Sequence, residues 1–157
     1  MILVIEVEYE YSFKVNDIEP YINYCIEKGF EKIKEYNQIR TLYTCNNNIL
    51  ARITTQEEKG VTSIVLDFKD DNDSDEILKV SRETIPLVVN KQNKESIYSI
   101  LDILGYKVKK ELIRKRYEYK KDNVIFEIDN YTSPEIMHVV AIEGLKEQVD
   151  KVYNEIK

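Results

Sequence analysis

Charged and apolar residues alternate along most of the extended segments of this chain, and the first segment shows it most sharply. Residues Val4 to Lys14 read Val-Ile-Glu-Val-Glu-Tyr-Glu-Tyr-Ser-Phe-Lys. In a β-strand successive side chains point to opposite faces, so Glu6, Glu8, Glu10, Ser12 and Lys14 share one face. Ile5, Val7, Tyr9, Tyr11 and Phe13 take the other, which suits packing. Three carboxylates spaced about 7 Å apart repel one another unless a cation sits among them. Such a face is either open to water or built to hold metal.

The remaining segments predict long strands punctuated by three helices. Asn16 or Asp17 can cap a helix whose first turn accepts Pro20. Ile18, Ile22, Cys25 and Ile26 give that helix an apolar stripe, and Gly29 ends it. Strands follow over 30–45 and 49–56, joined through Asn46-Asn47-Asn48. After the turn Glu57-Glu58-Lys59-Gly60 another strand covers 61–69. The acidic run Asp70–Glu76 reads as a solvated loop, and 77–89 is extended again. Ile97, Ile100, Leu101 and Leu104 place an amphipathic helix over 91–104, closed by Gly105. Strands at about 106–120, 123–131 and 136–143 lead to a last helix marked by Leu145, Val149, Val152 and Ile156. No internal repeat is evident in the sequence. Antiparallel strands with turn-length connections and helices set outside predict one α+β domain over residues 1–157. Its architecture is an eight-stranded antiparallel barrel or strongly curled sheet with about three flanking helices.

Composition narrows the function classes. The 157 residues carry a formal charge of −6, which argues against nonspecific nucleic-acid binding. Two cysteines, Cys25 and Cys45, are too few for a disulfide scaffold or a zinc site. Cys25 belongs to a core stripe, and nothing near Cys45 in the sequence would activate it. His138, on an expected strand, reads as structural. No apolar run is long enough to span a membrane, and no signal-peptide core precedes the first strand, so a cytoplasmic protein without a membrane partner is expected.

The chemistry lies in which charges share a strand face. Arg52 is in phase with Thr54, Lys69 with Asp67 and Val65, and Arg82 with Thr84. On the long strand Lys110, Leu112, Arg114, Arg116 and Glu118 oppose Ile113, Lys115, Tyr117 and Tyr119. Glu127 and Asp129 oppose Phe126 and Ile128, and Glu143 is in phase with Ala141 and Val139. Outside a barrel this pattern is surface decoration. Inside a closed one it makes a polar lumen with a basic and an acidic wall, suited to a polyanion and a bridging divalent metal. The pair Tyr117 and Tyr119 then packs outside.

In the order of its elements and motifs the chain resembles the CYTH superfamily, the triphosphate tunnel metalloenzymes. Glu8-Tyr9-Glu10-Tyr11-Ser12-Phe13 is similar to that family's opening Glu-x-Glu-x-Lys strand. Leu50-Ala51-Arg52-Ile53-Thr54 resembles its Arg-x-Arg strand, and Ile64 to Lys69 the strand ending in a substrate lysine. Arg82-Glu83 sits where an arginine-glutamate pair is expected. Arg114-Lys115-Arg116-Tyr117-Glu118-Tyr119 resembles Lys-x-Arg-x-x-Tyr. Phe126 to Asp129 and Ala141-Ile142-Glu143 resemble the last two acidic strands. The resemblance implies a tunnel that binds a triphosphate or polyphosphate with Mg²⁺ or Mn²⁺. It implies Glu8 and Glu10 as catalytic groups and Glu8, Glu10, Asp129 and Glu143 as metal ligands. Phosphates fall to Arg52, Lys69, Arg82, Arg114 and Arg116. The departures are Ser12 where the motif has lysine, Thr54 for the second arginine, Arg40 where aspartate is common, and Ala141 for a carboxylate. Two readings follow, a metal-dependent triphosphatase and a catalytically weak tunnel that binds a phosphorylated metabolite or polyphosphate. Class IV adenylate cyclase is third.

Overall fold

The computed structural model describes residues 5–70 and 77–157, and of residues 5–8 the backbone alone. The elements run β1 (Ile5–Val15), α1 (Glu19–Glu27), β2 (Glu31–Thr44), β3 (Ile49–Glu58), β4 (Val61–Asp70), β5 (Leu78–Thr84), β6 (Leu87–Val88), α2 (Lys94–Ile103), β7 (Lys107–Lys121), β8 (Val124–Ser133), β9 (Met137–Gly144) and α3 (Lys146–Ile156). The strands pair in the order β3-β2-β7-β8-β9-β1-β5-β4, and β4 returns to β3, so eight antiparallel strands close a barrel. Closure sorts every strand into an inner and an outer face.

The expected strand over 77–89 is in fact two. Pro86 interrupts it, since proline fixes its own φ and donates no ladder hydrogen bond. Beyond it, β6 leaves the path of β5 and pairs with β4 through Val65–Val88 and Leu66–Leu87. It is a ninth strand outside the closed set. The second helix starts at Lys94 rather than 91, because the Asn90 side chain accepts N–H bonds from Gln92 and Asn93 and holds a turn there.

Both glycine stops act as expected. Gly29 and Gly105 take φ of 82° and 87°, which only glycine adopts without cost. After each, an aromatic N–H bonds back into the helix, Phe30 to the Cys25 carbonyl at 2.8 Å and Tyr106 to the Leu101 carbonyl at 3.0 Å. These aromatics open the path into β2 and β7 and are themselves buried. The same device at both helices reflects a repeat that the sequence does not display. With the short β6 set aside, β1-α1-β2-β3-β4 and β5-α2-β7-β8-β9 have the same order, and exchanging the halves leaves the pairing of the eight barrel strands unchanged.

The hydrophobic core lies outside the barrel, in two parts. Phe126, Ile128, Val140 and Ile142 on the outer faces of β8 and β9 pack with Cys25, Phe30, Tyr119 and Val149 under α1 and α3. Phe30 meets Phe126 edge-on at 5.1 Å, and Tyr11 stacks on Tyr153 at 4.1 Å. Tyr11 also donates to Asp150 at 2.6 Å, tying α3 to β1. The second cluster joins Ala51, Ile53 and Leu66 of β3 and β4 to Ile97 and Leu101 of α2. With apolar faces satisfied outside, the interior is left to polar side chains. The outward packing expected for Tyr119 is seen, and Cys25 is fully buried core. His138 Nδ1 lies 2.6 Å from Asn130 Oδ1, a local contact. No helix among the described residues is long and apolar enough to cross a membrane.

Candidate functional site

The barrel encloses a cavity of about 280 Å³ whose lining includes five cations, Arg40, Arg52, Lys69, Arg114 and Arg116, and five carboxylates, Glu10, Glu83, Glu127, Asp129 and Glu143. All arrive there through the two-residue period of their strands.

Three groupings divide them. Arg116 is gripped by β8: its Nε is 2.7 Å from Asp129 Oδ1, its Nη2 2.9 Å from Asp129 Oδ2, and its Nη1 2.5 Å from Glu127 Oε2. Arg52 is held in the same way by β4 and β5. It forms a two-pronged pair with Asp67 and reaches Glu83 Oε1 at 2.9 Å, while Lys69 Nζ approaches that oxygen at 3.4 Å. The third group is a carboxylate cluster. Glu10, Glu127 and Glu143 each bring an oxygen within 4.8 Å of the others. Strand register explains it: Glu10 pairs directly with Glu143, and Glu127 lies diagonally across from Glu143 on the next strand.

Two arginines are differently placed. Arg114 gives Nε to Gln38 at 2.8 Å and Nη1 to Tyr131 at 2.6 Å, but its buried Nη2 has no hydrogen-bond partner among the described residues. Arg40 donates Nε to Thr54 at 2.9 Å. Burial pushes the Arg40 guanidinium down to about 9, and the neighbouring Arg114, Arg52 and Arg116 push the same way. It is charged at neutral pH yet held among like charges. On the opposite wall burial raises the Glu10 carboxyl, with Lys69 opposing and Glu127 adding to the rise. Burial would also raise Glu127, but Arg116, a hydrogen bond from Glu143, Arg114 and Arg40 bring it down to about 2. The lumen thus pairs a crowd of cations with a crowd of anions.

Of the residues singled out by sequence, Glu10, Arg52, Lys69, Arg114, Arg116, Asp129 and Glu143 meet in this cavity. The Glu8 side chain lies outside the described residues. Arg82 is not in the cavity: its side chain is 61% exposed and pairs with Asp70 outside the barrel. The cause is alternation in β5. Lys69 pairs in register with Glu83, which is drawn inward to Arg52, so Arg82 must face out. Asp129 is close by but is occupied by Arg116, and the third member of the carboxylate cluster is Glu127. Sequence reasoning placed Glu127 on the right face without assigning it a role. It passed over Arg40 altogether as a site residue, although Leu42 and Gln38 in phase with it marked an inner face.

No protein-family model and no curated protein matches the sequence. Solved structures do match. A conserved hypothetical protein from Pyrococcus furiosus superposes with TM-score 0.68 at 20% identity, covering 94% of this chain and 86% of that one. The Hippeastrum protein HpAC1, described as having a dominant triphosphatase activity, gives 0.64 at 12%, over 94% and 84%. The Mimivirus capping enzyme triphosphatase gives 0.54 at 11%, over 96% and 86%. At these identities the likeness is one of fold, the tunnel barrel.

Proposed function

We propose that the tunnel binds a triphosphate compound and cleaves a phosphoanhydride bond with a divalent ion, Mg²⁺ or Mn²⁺, held by Glu10, Glu127 and Glu143. The observation that carries this reading is the buried Nη2 of Arg114, without a hydrogen-bond partner among the described residues, in one cavity with the crowded Arg40 and three convergent carboxylates. The donor set fits a hard cation, being all carboxylate oxygen, and a cation there would offset both the burial that chiefly raises Glu10 and the repulsion from Glu127 that adds to it. When bound, the ion supplies Lewis-acid polarisation of phosphate oxygens.

The chain's own residues do the rest. Arg114 and Arg40 present guanidinium N–H groups to phosphate oxygens, where a planar fork can bind two at once. Lys69 adds a point charge, while Arg116 and Arg52 are braced by their carboxylates. Among the described lining residues five cations face five carboxylates, so a polyanion entering the lumen adds uncompensated negative charge. Its binding must be coupled to uptake of a metal ion or of protons. Phosphoryl transfer asks little of a protein beyond such positioning and charge.

Ser12, Ala141 and Val139 form a wall of the cavity with no cation on it, and this favours a second reading in which the tunnel binds its ligand and turns it over poorly. Phosphate release from tripolyphosphate, ATP and thiamine triphosphate, with Mg²⁺, Mn²⁺ or chelator, separates the two. Metal-dependent release is expected. Tight binding without release favours the second reading, and absence of binding removes both.

A further inference from the structure

The cavity does not end at its five cations. It opens, sharing Glu10, Arg40, Arg52 and Lys69, into a second space of about 290 Å³ at one mouth of the barrel. This vestibule adds three lysines, Lys79, Lys109 and Lys110, three leucines, and one carboxylate, Asp70, which is already paired with Arg82. Lys79 sits opposite Glu10 on the β1–β5 ladder, and Lys110 lies opposite Leu42 on the β2–β7 ladder. Cations therefore continue outward from the arginines on two sides of the mouth, Lys110 on β7 and Lys79 across the barrel on β5. Lys110, Arg114 and Arg116 share a face of β7, and the six residue steps from Lys110 to Arg116 span about 20 Å. A triphosphate is shorter than that.

The described lining of the vestibule lacks what a nucleoside would need. Among the described residues no aromatic side chain lines it, so they offer a base no stacking platform. Nor does the described lining carry a side-chain amide or hydroxyl to read a base edge or a ribose. Lysines are flexible point charges that suit a polyanion without fixed shape. Building on the tunnel reading above, we infer that the preferred ligand is a linear inorganic polyphosphate longer than three phosphates, seated with one end among the arginines and the chain continuing past Lys79 and Lys110.

Calorimetric titration with tripolyphosphate, ATP and a linear polyphosphate of defined length, all in Mg²⁺, tests this. The longer chain should bind at least tenfold more tightly than tripolyphosphate, and ATP no more tightly than tripolyphosphate. In Lys79→Ala/Lys110→Ala that tenfold ratio should collapse toward one. Lys28→Ala/Lys151→Ala removes the same charge far from the mouth and should retain the ratio. Folding of both variants is checked by thermal melting, and Lys79→Gln/Lys110→Gln replaces the alanine pair if it melts early. Equal affinity for the two polyphosphates, tighter binding of ATP, or equal loss in the distant pair would overturn the vestibule proposal while leaving the tunnel reading in place. If tripolyphosphate fails to bind at all, the tunnel reading falls and this one with it.

Discussion

Arg116 and Arg40 are cations of one lumen, and replacing them should have opposite consequences for stability. Arg116 neutralises two buried carboxylates, Glu127 and Asp129. Arg116→Ala removes the main partner of both, leaving Asp129 only the 3.7 Å approach of Arg114, and losing one partner of a buried ion network costs about 3–5 kcal/mol. The first effect of that variant is therefore on folding, measurable by denaturant unfolding, and only then on ligand binding. Arg40 is held down by burial and by three other arginines. Arg40→Gln removes a repelled charge, so stability in the absence of ligand should hold or rise. Tripolyphosphate affinity should fall by about 1.5–3 kcal/mol, the value of a charge-assisted hydrogen bond. A stability loss like that of Arg116→Ala would show that Arg40 braces the barrel instead.

At the scale of elements, β1, β8 and β9 each deliver one carboxylate to the same point. Mg²⁺ or Mn²⁺ should raise the melting temperature of the protein, and Glu10→Gln/Glu143→Gln should erase that gain. A gain that survives in the double variant would exclude this cluster as the ion's site. Without metal, the pH dependence has two opposed parts. The Glu10 carboxyl is raised above its ordinary value of 4.5. Between that value and its folded one the native state holds a proton that the unfolded chain has lost, so stability falls as pH rises through this interval. Glu127, lowered to about 2 from 4.5, contributes stability above 4.5 that is lost as pH falls from there toward 2. In chelator, Glu10→Gln should therefore gain on the wild type as pH climbs above 4.5. Melting curves across the acid-to-neutral range check the sign.

Over the whole molecule the barrel is stabilised from outside. Phe126 is fully buried between β8 and the helices rather than in the lumen. Phe126→Ala should cost about 3–5 kcal/mol while leaving the charged interior intact. Denaturant midpoints measure this, and a negligible loss would contradict an external core. Strand alternation made this two-sidedness legible in the sequence, along with the helix-ending glycines and the shared faces of Arg114 with Arg116 and of Glu127 with Asp129. A period of two assigns faces by local geometry alone. It cannot say which of two opposite faces turns inward on a short strand such as β5, where Arg82 and Glu83 compete. The ladder to Lys69 and the pull of Arg52 decided that. Nor can it say which charges meet. Glu10, Glu127 and Glu143 are more than a hundred residues apart at the extremes and converge only through the β1–β9–β8 register. The alternation written in the sequence determined that this chain would have a charged face. Barrel closure decided that the face is an interior, because contacts between distant strands carry no signal in local spacing.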